Sequence, residues 1–262
     1  MPEGPEAKIS SNYLNKILLD KSKFQIISSY YSDKYSEVFK TINSNLINNK
    51  LSFTIGKNIF LKLKNQQFLR IHLGMTGGLS ENYKKHCHFK ITNKHRDIYF
   101  IDVRKFGKIE IISSQNFYEK YDNNFDSLNK NYNIEEHFDF LQKTIKPHQK
   151  ICKILLNQKL FPGVGNYIKS ETLYLTNIHP EQTWNLITIK KKKELINNTK
   201  IVMNDSFASG GAELKDFKNP FRNSNYQLKI YGKKYTGDKI KVSKIKTSDQ
   251  RTTWICKNQK LM

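Results

Sequence analysis

The stretch 160–173 reads Leu-Phe-Pro-Gly-Val-Gly-Asn-Tyr-Ile-Lys-Ser-Glu-Thr-Leu. Gly163 and Gly165 allow a tight turn and close backbone approach. A helix starting just after them presents N–H groups that favour a phosphate, and Asn166 adds a side-chain amide. Taken alone, the same residues also read as a helix–helix turn without a ligand. Around this stretch the apolar period is helical, over about 134–145, 147–157, 164–176 and 188–205. Pro147, Pro162-Gly163 and His179-Pro180 punctuate these helices.

Upstream the period changes. Residues 7–19 carry apolar side chains at helical spacing and predict an opening helix. From about 23 to 112 the chain breaks into short β-rich runs at 24–31, 51–55, 58–64, 67–73, 88–92, 98–102 and 108–112. So many short strands in so little chain predict a sandwich or flattened barrel. The polar segment 123–133 reads as a linker. The tail, about 226–256, returns to β character around Gly-Lys-Lys-Tyr-Thr-Gly-Asp (232–238), which predicts a terminal hairpin.

Composition limits the partners. With 45 Lys+Arg against 23 Asp+Glu, the formal charge is +22. Hydrophobic residues are 37% and aromatics 12%, spread along the chain, so the excess charge sits on a folded chain rather than a disordered tail. There is no apolar run long enough to span a membrane and no secretory leader pattern. Cys87, Cys152 and Cys256 are odd in number and far apart, which favours a reducing, intracellular setting over a disulfide framework. The acidic partner implied by +22 is nucleic acid in preference to a membrane surface.

The chain start, Met-Pro-Glu-Gly-Pro-Glu, carries chemistry. Removal of Met1 would leave Pro2 as a secondary amine. An ordinary α-amino group has a pKa of about 8, so a useful fraction is neutral near pH 7. Such an amine attacking a sugar C1′ gives an iminium directly, which is an electron sink for elimination. Glu3 beside it could donate and accept protons. Read without the rest of the chain, the pair is an ordinary solvated start.

Pro2-Glu3-Gly4-Pro5-Glu6 and Gly163-Val164-Gly165-Asn166-Tyr167 with Glu171 resemble the formamidopyrimidine-DNA glycosylase and endonuclease VIII family. So do Gly56-Lys57, His72-Leu73-Gly74-Met75-Thr76-Gly77, Asp102-Val103-Arg104-Lys105-Phe106-Gly107, Ser209-Gly210-Gly211 and Ile230-Tyr231-Gly232, in the family's order. The resemblance implies an α+β multidomain fold. Residues 1–122 would be an N-terminal catalytic two-layered β-sandwich with flanking helices, and 123–133 a linker. Residues 134–225 would be a helix–two-turns–helix DNA-binding domain, and 226–262 a β-hairpin finger. It implies a bifunctional DNA glycosylase and abasic-site lyase of base-excision repair, acting on oxidised pyrimidines and ring-opened purines and nicking by β,δ-elimination. Pro2 would be the nucleophile, Glu3 the general acid/base, and Lys57 a phosphate contact that assists elimination. Met75, Arg104 and Phe106 would fill the gap left by the extruded nucleotide. Asn166 and Arg251 would grip the flanking phosphates, with Arg251 counted among the catalytic set. His86 is assigned a DNA contact, with a core or surface role as its alternative.

The family's four-cysteine zinc finger is missing. Only Cys256 survives, with Gln259 where its partner would stand, while Gln250-Arg251-Thr252-Thr253-Trp254 is kept. A metal-free finger is therefore expected, with no cofactor. Gly4 looks like the endonuclease VIII branch. The Met75, Arg104, Phe106 set is similar to the formamidopyrimidine branch and to metal-free animal members. Segment 212–226 looks short for a loop that covers 8-oxoguanine. The expected partners are damaged duplex DNA and also single-stranded DNA, with no membrane and the chain acting as a monomer. The rival reading is a non-catalytic nucleic-acid binder that uses the two-turn motif as a phosphate clamp.

Overall fold

The structure, a computed structural model, describes residues 1–262 apart from 19–20, 48–49, 122–124, 215–218, 220, 222 and 262. Two compact units form: Met1–Asn123 with Ser209–Asn225, and Asn124–Ala208 with Tyr226–Met262.

The first unit opens with helix α1 (Gly4–Leu18), followed by β1 (Lys23–Ile26) and helix α2 (Ser29–Asn45). Strands β2 (Phe53–Ile55), β3 (Asn58–Leu63), β4 (Gln67–His72), β5 (Gly77–Ser80), β6 (Cys87–Thr92), β7 (Asp97–Asp102) and β8 (Lys108–Ser113) follow, then α3 (Ser114–Tyr121). The strands build two four-stranded antiparallel sheets, ordered β1-β6-β7-β5 and β2-β3-β4-β8. Alternation along the strands sets the two faces of the second sheet. Ile59, Leu61, Leu63, Leu69 and Ile71 enter a core shared with Phe89, Ile91 and Phe100 of the first sheet. Phe60 and Phe68 point the other way and pack with Phe117 of α3, Phe68 stacking on Phe117 with centroids 4.1 Å apart.

The strand expected over 24–31 is half a strand and half a helix. The aromatics Tyr30 and Tyr31 favour strands locally. But Tyr31, Tyr35, Phe39 and Ile42 recur at helical spacing and are all buried, and Ser28 caps the helix by accepting from the Tyr31 N–H at 3.3 Å. The long-range core decides. α3 and β5 also have no counterpart in the sequence reading, because neither carries a clear apolar period.

The second unit contains α4 (Ile134–Thr144), α5 (Ile151–Leu156), α6 (Asn166–Thr176), α7 (Ile189–Ala208) and the hairpin β9 (Val242–Lys246) with β10 (Thr252–Cys256). The helix expected over 147–157 starts only at Ile151, after turns that follow Pro147. The hairpin's own turn is 247–251 rather than the Gly-Lys-Lys-Tyr-Thr-Gly-Asp segment, which forms turns ahead of β9.

His137 pins α4 to the two-turn segment. Its ring is 1% exposed, accepts from the Tyr132 hydroxyl at Nδ1 (2.6 Å) and donates from Nε2 to the Leu160 carbonyl (2.8 Å). Both nitrogens are satisfied in the neutral form. Burial holds its pKa down to about 4, against the opposing pull of the Leu160 bond. The unfolded chain, with an ordinary histidine pKa near 6.5, therefore takes up a proton that the fold does not. Stability from this site is full above about pH 6.5 and is lost as pH falls towards 4. The slope is at most about 1.4 kcal/mol per pH unit. Denaturant melts at pH 7 and pH 5 should show that loss, and His137→Phe should flatten it. An unchanged pH dependence in the variant would refute the assignment.

Candidate active site

In the first unit the chain start is built around Glu6. Helix α1 begins at Gly4, so Glu3 is its N-cap and Glu6 its third residue. The Glu6 carboxylate reaches back to accept from the Glu3 N–H at 2.8 Å, which is half of a capping box. Its other oxygen accepts from the Ala212 N–H at 2.8 Å, and Glu6 is fully buried. Gly211 has φ +85, and a Cβ there would meet Glu6 Oε1 at 3.1 Å, so a small, left-handed residue is needed at that contact. Pro2 is buried and Glu3 is 2% exposed. Were Met1 removed, the Pro2 amine would lie beside the Glu3 carboxyl at a helix N-terminus, the arrangement that proton transfer at that amine requires.

Lys57 sits in the two-residue turn joining β2 to β3. Gly56, at the first position of that turn, has φ 57. The residue after Lys57, Asn58, pairs with His72 across β3–β4, and the His72 pKa is held to about 4 by burial and by the charges of Arg70, Lys57 and Lys108. The Gly74 N–H donates to His72 Nδ1 at 3.0 Å, as a neutral ring allows. The motif that contains His72 gives it no role in the sequence, because three cations around one partly buried imidazole are not visible in one dimension.

Met75, Arg104 and Phe106 come from two loops that a buried aspartate ties together. Asp102 is fully buried. One of its carboxylate oxygens accepts from Thr76 Oγ1 at 2.5 Å and the other from the Gly107 N–H at 2.6 Å. Thr76 Oγ1 in turn accepts from the Arg104 N–H at 2.9 Å. The loop backbones touch at Gly74, where φ is +67 and a Cβ would lie 2.6 Å from the Phe106 carbonyl carbon. Phe106 is 51% exposed, with the Arg104 guanidinium 4.8 Å from its ring centroid. His86 is exposed, with φ 68, and its carbonyl accepts from the Asp102 N–H at 3.1 Å, so it borders the same loop.

In the second unit the segment between α5 and α6 makes two successive turns. Leu160 and Phe161 N–H groups donate to the Asn157 carbonyl, and Val164 N–H donates to Phe161. Gln158 staples them, donating to the Val164 carbonyl at 2.8 Å and accepting from the Gly163 N–H at 3.2 Å. Gly163 has φ 87. Asn166 is the first residue of α6, after the N-cap Gly165. Its side-chain amide donates to the Thr252 carbonyl at 2.9 Å, next to exposed Arg251. So Asn166 and Arg251 are brought together through strand β10. Glu171, buried on the same helix, accepts from the Lys229, Ile230 and Tyr231 N–H groups at 2.8–2.9 Å. Burial pushes its carboxyl up, against the downward pull of those three bonds.

The finger does not offer zinc its ligands. Among the described residues no group of three His, Cys, Asp or Glu could hold a metal. Gln259 uses its amide instead, accepting from the Cys256 N–H at 3.1 Å and donating to the Ile178 carbonyl at 3.0 Å. Thr236 makes the matching turn, with its hydroxyl accepting from the Ile240 N–H at 3.2 Å. The reading of 212–226 as a short covering loop turns on 215–218, 220 and 222, which lie outside the described residues. Among the described residues no helix is long and apolar enough to cross a membrane.

Comparison with known proteins identifies the family and the fold. Residues 1–109 match the formamidopyrimidine-DNA glycosylase N-terminal domain, and residues 125–218 match the formamidopyrimidine-DNA glycosylase H2TH domain. A formamidopyrimidine-DNA glycosylase of Wolbachia sp. subsp. Brugia malayi is 30% identical over 98% of both chains. Among solved structures, MutM in complex with DNA containing carbocyclic 8-oxo-G superposes with a TM-score of 0.80 at 24% identity, covering 97% of this chain and 98% of that one. The Lactococcus lactis Fpg complex with abasic-site DNA gives 0.79 at 24% identity, covering 97% of each chain. At that identity the structural likenesses establish the fold.

Proposed function

Because the chain belongs to the formamidopyrimidine-DNA glycosylase family, we propose that it is a DNA glycosylase of base-excision repair with an abasic-site lyase activity. Its substrates are oxidised pyrimidines and ring-opened purines in duplex DNA, and also in single-stranded DNA, and it acts as a monomer of the endonuclease VIII-like branch. The Pro2-Glu3 pair at the head of α1 supports the reading most, since a passive binder has no use for an amine beside a buried carboxyl. Once Met1 is removed, the Pro2 nitrogen attacks C1′. The base leaves with its bonding pair, and Glu3 supplies the proton. Loss of the amine's N–H proton and cleavage of the C1′–O4′ bond, with O4′ taking up a proton, give the open-chain iminium, which acidifies the C2′ proton; its loss expels the 3′ phosphate, and a second elimination expels the 5′ phosphate. No step requires a metal.

Lys57, Asn166 and Arg251 hold phosphates. Asn166 has a second amide N–H beyond the one bonded to Thr252. Met75, Arg104 and Phe106 support the duplex where the damaged nucleotide leaves the stack, which offsets part of the few kcal/mol of unstacking. His86 adds a contact beside them. Oligonucleotides carrying an oxidised pyrimidine, a ring-opened purine, 8-oxoguanine or no lesion test the reading. Base release and a one-nucleotide gap are expected for the first two, with 8-oxoguanine slower. Binding to all four without product would leave only the clamp.

Salt separates the phosphate contacts from the wedge. Each phosphate neutralised contributes about −0.9 to the slope of log K against log salt. Lys57→Ala should flatten the slope by about one unit. Phe106→Ala should leave it unchanged and instead narrow the preference for damaged duplex over damaged single strand. Equal slopes for wild type and Lys57→Ala would remove Lys57 from the phosphate set.

A further inference from the structure

The middle of α6 carries a lysine where a water-excluded helix face would ordinarily hold an apolar residue. The Lys169 side chain is 0% exposed, and its Nζ donates to Asp249 Oδ2 at 2.5 Å; the Asp249 side chain is 4% exposed. A buried charge persists only when it is paired and its remaining bonding capacity is used. Here it is used on one short segment. Asp249 Oδ1 accepts from Thr247 Oγ1 at 2.6 Å and from the Arg251 backbone N–H at 2.9 Å. The Arg251 carbonyl accepts from the Thr247 N–H at 2.9 Å, which closes the turn. One helical turn earlier, Asn166 holds the Thr252 carbonyl. Helix α6 therefore grips the hairpin on both sides of Arg251, through residues 166 and 169. Beside the same turn, the Ser248 N–H donates to Glu181 Oε1 at 2.7 Å, and Lys150 pairs with Glu181 Oε2 at 2.7 Å.

We infer that the buried Lys169–Asp249 pair is a positioning device that fixes Arg251 for its phosphate contact, in a finger whose turns hold no metal ligands. Neither side chain touches DNA; the pair acts through the backbone of Arg251. The inference rests on the phosphate role proposed for Arg251 and adds the residues that set its placement. An apolar pair of similar volume could hold the helix and hairpin together as well or better, but would leave the Arg251 N–H without its acceptor.

The test uses the full chain and a duplex containing a tetrahydrofuran abasic analogue. The variants are Asp249→Asn, Lys169→Met, the paired Lys169→Met/Asp249→Leu, Arg251→Ala, and Asp249→Asn/Arg251→Ala. Affinity against salt is read together with amide hydrogen exchange over 247–253. The paired apolar variant should weaken binding about tenfold and flatten the salt slope by about 0.9, the value of one phosphate; Asp249→Asn, which keeps the acceptor of the Arg251 N–H but loses the ion pair with Lys169, should fall between it and wild type. Exchange at 247–253 should accelerate while α4 stays protected. Adding Asp249→Asn to Arg251→Ala should cost nothing more, because the residue being positioned is already gone. Lys169→Met alone leaves a buried unpaired carboxylate and should lower Tm by about 10 °C; the apolar pair keeps the experiment informative if that variant does not fold. A folded apolar pair with the wild-type slope, or additive losses in the double variant, would overturn the inference. If the wild type releases no base but the slope and exchange changes appear as stated, the repair reading fails and the positioning role of the pair stands.

Discussion

Replacing Glu3 with glutamine is expected to slow release of an oxidised base by about 10²–10⁴-fold, the usual contribution of a positioned general acid. Cleavage of a pre-formed abasic site should slow far less, because no base has to be protonated there. Glutamine keeps the shape of the side chain and leaves untouched the backbone N–H of residue 3 that Glu6 accepts, so the fold of α1 should survive. The split between the two reactions is what separates an acid from a residue that merely holds the helix start. Rates on a lesion-bearing duplex and on the same duplex pretreated to an abasic site give the split directly. Equal loss on both would reassign Glu3 to positioning Pro2.

The second large effect belongs to Asp102. Asp102→Ala removes the acceptor of the Thr76 hydroxyl and of the Gly107 N–H, both within a buried knot. Hydrogen bonds to a charged group contribute about 1.5–3 kcal/mol each. Losing two of them, with a buried N–H left unpaired, should cost roughly 3–5 kcal/mol and lower Tm by on the order of 10 °C. The functional consequence is separable. Met75, Arg104 and Phe106 lose their shared anchor, so preference for damaged duplex over damaged single strand should collapse, while reactivity at Pro2 on single-stranded substrate persists. Asp102→Asn, which keeps one acceptor oxygen, should fall between wild type and alanine. A variant that folds and retains full duplex preference would show that the two loops are held by the Gly74–Phe106 approach alone.

Much of this architecture was legible in the sequence, for definable reasons. The two-turn segment carries two glycines and an asparagine in sequence order, and Gly163 does adopt the left-handed conformation that only such a residue takes readily. Long helices and alternating strands announce themselves by period. What stayed hidden depends on partners far along the chain. Tyr30 and Tyr31 look like strand residues until the core shows Tyr31, Tyr35 and Phe39 on one buried helical face. Asp102 was part of a quoted motif, yet its bonds to Thr76 and Gly107 follow from two loops meeting in space. Lys169 reads as one more surface lysine in a chain of net charge +22. Only burial against Asp249, eighty positions away, reveals it. The missing cysteines of the finger were visible in the sequence, but the hydrogen bonds of Gln259 to Cys256 and Ile178 were not.

During the reaction the Pro2 nitrogen is expected to become covalently joined to the sugar. Reduction with borohydride during reaction on a duplex bearing an oxidised pyrimidine, followed by protease digestion and mass spectrometry, tests it most directly. A single stable adduct is expected on an N-terminal peptide that begins at Pro2 and lacks Met1. An adduct on a lysine side chain, or full strand-nicking activity from protein that retains Met1, would contradict it.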